Sequence, residues 1–184
     1  RSASRSRPTS RAGAPPARYC CICSGVVILP ASISAWTLPV IGPSAVTSSA
    51  SSGGAFATMN GVSQANFAAV NSTSGASLPA FTGTADGRVS ALAVTGTSLF
   101  AGGEFFFAGG ASRRGVARLS SATGLAETAF NANGNGSVSA MAVSGTTLFV
   151  AGSFGLMGGQ NREHIAQLDP TTGALISTIG NVGY

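Results

Sequence analysis

Short apolar runs, each ended by a cluster of Gly, Asn, Ser or Thr, fill the chain from about residue 54 onward. Residues 89–94 form one run, broken at Thr95-Gly96-Thr97. Residues 99–107 form a second, broken at Ala108-Gly109-Gly110, and residues 115–119 a third, ended by the turn at 120–124. A weaker fourth covers 125–130 and gives way to the Asn- and Gly-rich stretch 131–136. Branched and aromatic side chains suit a pleated surface, while Gly and Asn let the chain reverse, so this punctuation predicts short antiparallel strands. No segment carries a 3.6-residue period long enough for a helix.

The pattern repeats. Residues 89–130 recur at Val138 with an offset of 49, and no gap is needed before Thr123-Gly124 and Thr172-Gly173. A weaker copy lies one period earlier, where Gly54, Phe56, Gly61, Ala68, Gly75 and Phe81 precede Gly103, Phe105, Gly110, Ala117, Gly124 and Phe130 by 49. Four short strands in such a period describe a propeller blade. Small residues at Ala91, Ala93, Ala101, Gly102 and Gly103 suit close backbone approach near an axis. The recurring bulky residues Phe105, Leu119 and Phe130 would fill the space between neighbouring blades, and Phe105 and Phe154 are expected at equivalent buried positions. Burying one such aromatic contributes about 2–3 kcal/mol by area.

Ile33-Ser34-Ala35-Trp36 echoes Val89-Ser90-Ala91-Leu92, but with seven more residues before the phenylalanine that follows. Residues 42–54 show no strand-like alternation, so the first repeat is expected to be degenerate on its N-terminal side. The expected fold is all-β, with antiparallel four-stranded blades over 33–88, 89–137 and 138–184 after a leader at 1–32. With fewer blades than the typical four to eight, the propeller would be an incomplete, open arc of about three. Such an arc exposes apolar faces and strand edges, so the isolated chain is expected to self-associate, aggregate or fold poorly.

Composition narrows the class. Apolar residues make up 44% and charged residues 8% of the chain, with 26 glycines and no lysine, which excludes ordinary disorder for the chain as a whole. Arg1, Arg5, Arg7, Arg11 and Arg18 supply the whole net charge of +5, because beyond residue 19 five arginines face five carboxylates. A basic leader on a neutral body argues against nucleic-acid binding. Residues 1–18 read as disordered, and residues 19–41 turn apolar, interrupted by Pro30 and Pro39. The chain starts at Arg1 rather than Met. Three readings of this leader stay open: an export signal, the edge of a fragment or mis-started frame, and a membrane anchor.

Few residues offer chemistry. Cys20, Cys21 and Cys23 lie together in the leader, short of the ligands a zinc site needs and poorly placed for a disulfide between neighbours. Asn131, Asn133 and Asn135 alternate as in a calcium loop but bring no carboxylate, so a turn is the expected reading. Asn71-Ser-Thr73 and Asn135-Gly-Ser137 match the glycosylation acceptor pattern. His164, the single histidine, is expected as an exposed residue on a third strand. Arg113 and Arg162 recur at the period and are expected to anchor that strand through backbone carbonyls or Asp169. No cofactor or metal is expected.

The series V-x-A-L-A-V-x-G-x-x-L-F-x-x-G-x-F, G-G-x-x-R and I-A-x-L-D-x-x-T-G-A-L resembles the delta-60-type bacterial β-propeller repeat family. The likeness covers about residues 54–184 in three imperfect units and is best over 138–175, at Gly152, Phe154, Gly158-Gly159, Arg162, Ile165-Ala166, Leu168-Asp169 and Thr172-Gly173. The middle unit has Ser120 in place of the Asp. Kelch repeats share the Gly-Gly doublet, but their later Tyr and Trp signals are missing. The resemblance implies a propeller of secreted or cell-surface bacterial proteins and carries over no catalytic residue. The expected function is therefore a non-catalytic interaction or structural module of a larger protein, with an unknown protein or surface partner. The alternative is a fragment of a propeller enzyme whose active residues lie in missing blades.

Overall fold

The computed structural model describes residues 26–28 and 49–176. The leader arginines, the three cysteines, the echo at 33–36 and everything from residue 177 lie outside the described residues. Within them the chain is all-β, without a helix. The first unit holds β1 (Val26–Ile28), β2 (Ser49–Gly53), β3 (Thr58–Met59), β4 (Val62–Ser63) and β5 (Phe67–Asn71). The second holds β6 (Arg88–Thr95), β7 (Ser98–Glu104), β8 (Phe107–Ala108), β9 (Ala111–Ser112) and β10 (Val116–Ser120). The third holds β11 (Ser137–Ser144), β12 (Thr147–Ser153), β13 (Leu156–Met157), β14 (Gln160–Asn161) and β15 (Ile165–Leu168). Each unit forms one antiparallel three-stranded sheet, β1-β2-β5, β6-β7-β10 and β11-β12-β15, with a small hairpin between its second and last strands.

Turn chemistry explains the hairpins. β3-β4, β8-β9 and β13-β14 are each closed by two residues of positive φ: Asn60-Gly61 (50° and 76°), Gly109-Gly110 (58° and 80°) and Gly158-Gly159 (62° and 74°). Two left-handed residues in succession make a type I′ turn, whose twist matches the strands it joins, and Asn and Gly enter that region at least cost.

The sheets stack. Alternate residues of each sheet point forward to the next unit or back to the preceding one. Phe67 and Ala69 on the forward face of the first sheet share a core with Val89, Leu92, Leu99 and Leu119 on the rear face of the second. Ala93, Phe100 and Val116 on the forward face of the second sheet do the same with Val138, Leu148, Val150 and Leu168 of the third. Contact is close at one point of each interface. A Cβ built on Gly53 would lie 2.5 Å from Val89 Cγ1, and one on Gly102 would lie 2.7 Å from Val138 Cγ1. Gly53 and Gly102 are 49 residues apart, as are Val89 and Val138, so the same knob enters the same hollow twice.

Several boundaries differ from the sequence reading. The run 99–107 is not one strand: β7 ends at Glu104, Phe105 turns into the core, and Phe107 begins a separate hairpin. The weak run at 125–130 contributes only an isolated bridge, Leu119↔Ala126, matched by Val70↔Ser77 and Leu168↔Leu175. Residues 49–53, inside the stretch without alternation, form the middle strand of the first sheet. That sheet's first strand comes from Val26–Ile28, within the segment read as leader.

Candidate functional site

In a chain of repeated units, a contact present in every unit serves the fold, and a feature confined to one unit is free to serve something else. Three recurring fastenings therefore come first. Gly54 N–H donates to Asn66 O while Asn66 N–H donates to Phe56 O, at 3.0 and 2.8 Å. The same reciprocal pair joins Gly103, Gly115 and Phe105 at 3.0 and 3.0 Å, and Gly152, His164 and Phe154 at 2.9 and 3.2 Å. The clamp needs a left-handed residue at its centre, and Asn66 (φ 61°), Gly115 (74°) and His164 (65°) supply it. Phe105 and Phe154 are both buried at these equivalent positions, whereas Phe56 is only half-buried.

His164 is consequently not on a strand. It is half-buried in the loop before β15, and its Nδ1 lies 3.1 Å from Gly152 O. Arg113 is buried and donates to the carbonyls of Ser112, Glu127 and Thr128 at 2.8, 3.2 and 3.5 Å. It holds the linker between the second and third units, as Gln64, one period earlier, holds the first linker through Phe81 O at 2.8 Å. Arg162, in the third unit, donates to Asn161 O, and Asp169 bonds its own turn rather than an arginine-bearing strand.

The third fastening escaped the sequence reading. Asp86 Oδ1 accepts from the N–H groups of Phe106 and Phe107, both at 2.9 Å. Asn135 Oδ1 accepts from those of Gly155 and Leu156, at 2.9 and 2.8 Å. Each linker thus caps the hairpin of the unit it leads into. The recurrence of a short polar side chain 49 residues apart was the available signal. It also absorbs the run 131–136 into the fold: Asn131 Oδ1 accepts from Asn133 N–H, Asn133 is left-handed (φ 44°), and Asn135 is a cap. Among the described residues no three His, Cys, Asp or Glu side chains gather as a metal site would require.

One hairpin departs from the pattern. Phe106 and Phe107 are both more than half exposed, where the other units carry Ala57-Thr58 and Gly155-Leu156. The Arg114 guanidinium stacks 5.0 Å over the Phe106 ring. Glu104, Phe105, Phe106, Arg114, Gly136 and Ser137 line a cleft of about 190 Å³ beside it. The arrangement presents a cation, an aromatic face and a carboxylate together, which suits non-covalent recognition.

Arg118 is a second singular feature. Its Nε lies 3.0 Å from Glu127 Oε2, it donates to Ser98 Oγ, and its Nη1 reaches Pro170 O at 3.1 Å in the following unit. Its guanidinium also lies 6.0 Å from the Phe100 ring centroid. The group acts as a strap between the second and third units. No family model matches the chain, and no curated protein and no solved structure matches it either.

Proposed function

We propose that the three units are successive blades of a β-propeller of the delta-60 type, and that the chain is a non-catalytic interaction or structural module working outside the cell or at its surface. One observation carries the reading: sheet stacks on sheet with the same knob, clamp and cap at a 49-residue spacing. The single bridging residue on each outer edge stands where a blade's fourth strand would lie. The interaction role is supported by Phe106, Phe107 and Arg114, an exposed aromatic and cationic cluster that the repeat itself does not use.

Two measurements test it. Inserting a second copy of residues 89–137 after Gly136-Ser137 should add one more stacked unit, because the forward face around Gly102 already accepts a valine at the place of Val89. Cooperative unfolding should persist with an equal or higher midpoint; loss of the cooperative transition would sink the blade reading. For recognition, wild type and a Phe106→Ser, Phe107→Ser, Arg114→Ser variant would be compared for retention on immobilised bacterial envelope preparations. Equal retention of the two would rule out this cluster as the contact surface.

A further inference from the structure

We propose that the cleft between the second and third units takes one acidic sugar residue of a surface polysaccharide, with Arg114 holding the sugar's carboxylate. The inference rests on the interaction role proposed above and names its ligand.

Three positions of the repeat are built out at this cleft. The first unit carries Ala55, Ala57 and Ala65 where the second carries Glu104, Phe106 and Arg114. The third carries Ser153, Gly155 and Glu163 there. Alanine serves the fold at all three, so the carboxylate, ring and guanidinium of the second unit are surplus to it. All three side chains are exposed, and all three line the one cleft. The second unit has a sheet packed on either side, so the cleft belongs to the interior of the stack and not to an end face. Its far wall is Gly136 and Ser137, at the entry to β11.

The groups on the walls select the ligand. The Arg114 guanidinium lies 5.0 Å over the Phe106 ring, which covers its face and leaves its edge donors outward. Among the described residues, neither Arg114 nor Glu104 is engaged in an ion pair or a side-chain hydrogen bond. A guanidinium only donates, and its fork matches the two oxygens of a carboxylate. An ionised Glu104 only accepts, and so calls for hydroxyl donors. The Phe106 ring, more than half exposed, offers an electron-rich wall to the C–H side of a pyranose. A uronic acid carries carboxylate, hydroxyls and C–H face on a single ring.

Charge and size narrow the class further. The rim as a whole is neutral, because Arg88 and Arg114 face Asp86 and Glu104. That balance disfavours a dense polyanion such as a nucleic acid or polyphosphate, which needs a field of one sign. The cleft is open and holds about 190 Å³, below the roughly 300–1,000 Å³ of sites that enclose a whole small molecule. It suits one residue of a chain that continues over the surface.

Calorimetric titration of the full chain with tetragalacturonate and with tetramannuronate is the test, each set against its methyl ester, whose carboxylates are blocked. Either acid should bind, and esterification should weaken that binding by about tenfold or more. Arg114→Gln should cost about the same factor, whereas Leu125→Ser, an exposed change at the other end of β10, should cost nothing. Both variants should melt as the wild type does, since both side chains are exposed. Failure of both acids to bind overturns the proposal, and so does binding that Arg114→Gln leaves intact. Equal binding of acid and ester overturns it in favour of a neutral sugar. Binding of tetraglycine but of neither acid overturns it in favour of a peptide carboxylate. If the wild type binds neither acid while the triple serine variant loses envelope retention, this inference falls and the interaction role stands.

Discussion

Phe67 and Phe100 lie on different strands of different units, yet each sets its ring edge-on to the phenylalanine of the linker that follows. The centroid separation is 5.0 Å to Phe81 and 5.7 Å to Phe130. Two forward-facing positions have exchanged their contents. The first sheet carries Ser51 on β2 and Phe67 on β5, and the second carries Phe100 on β7 and Val116 on β10. The two positions are diagonal neighbours across the strand pair, so one ring fills the interface from either side.

The exchange predicts coupling. Phe67→Val should open a cavity and Ser51→Phe should overpack, each costing about 1–3 kcal/mol. The double variant reproduces the second unit's arrangement and should recover at least half of the summed loss. Urea denaturation of the four proteins measures the coupling directly, and additive losses would refute the equivalence.

His164 holds a left-handed conformation that the clamp requires (φ 65°). His164→Gly and His164→Val remove the same ring, so their difference isolates the backbone. The valine variant should be less stable than the glycine variant by about 1–2 kcal/mol. Equal unfolding midpoints would mean that the loop relaxes out of this conformation freely.

Arg113 is a buried cation whose terminal nitrogen donates to carbonyl oxygens of the linker, while its Nε finds no partner among the described residues. Hydrogen bonds to charged groups contribute about 1.5–3 kcal/mol each, so Arg113→Ala should be costly, by at least that amount. Arg113→Gln should retain part of the stability, because Gln64 makes the corresponding contact in the first unit. Thermal melts of the two variants should rank glutamine above alanine.

Asp169 titrates below its ordinary value of 3.8, chiefly because its carboxylate accepts the backbone N–H of Thr172 and then that of Thr171, with smaller help from the Thr172 hydroxyl and Arg118. A lowered folded-state value means that the carboxylate stabilises the fold at pH above 3.8. That contribution is lost as the pH falls through the folded-state value. Asp169→Asn keeps an accepting oxygen, as Asn71 does in the first unit, but cannot titrate. The stability of the wild type relative to this variant should hold steady above about pH 5 and decline progressively as the pH falls through 3.8 and below. A flat difference across that range would exclude the coupling.

Where side chains alternate and turns are rich in glycine, the sequence located strands to within a residue or so: the runs 89–94 and 115–119 are β6 (Arg88–Thr95) and β10 (Val116–Ser120). It overran at Phe105–Phe107, because three consecutive phenylalanines look like one strand while the chain turns beneath them, burying one ring and exposing two. It missed β2, whose Ser-Ala-Ser-Ser-Gly sequence has almost no hydropathy signal. That strand is defined by its pairing with β5 and by the approach of Val89 to Gly53. The exposed cluster at Phe106 and Arg114 was legible only as a departure from the repeat, and a reading tuned to recurrence passes over what fails to recur.

The turns, clamps and caps are interchangeable between units, and a chain built from interchangeable parts can assemble in the wrong order. β7 could accept the last strand of a neighbouring unit with every backbone hydrogen bond intact, which is the characteristic error of repeat chains. The residues that differ make such swaps unfavourable. Placing β5 beside β7 would bring Phe67 and Phe100 onto one face with room for a single ring, and placing β10 beside β2 would leave Val116 and Ser51 with a void. The aromatic exchange thus works as an address, telling each strand during folding which sheet is its own.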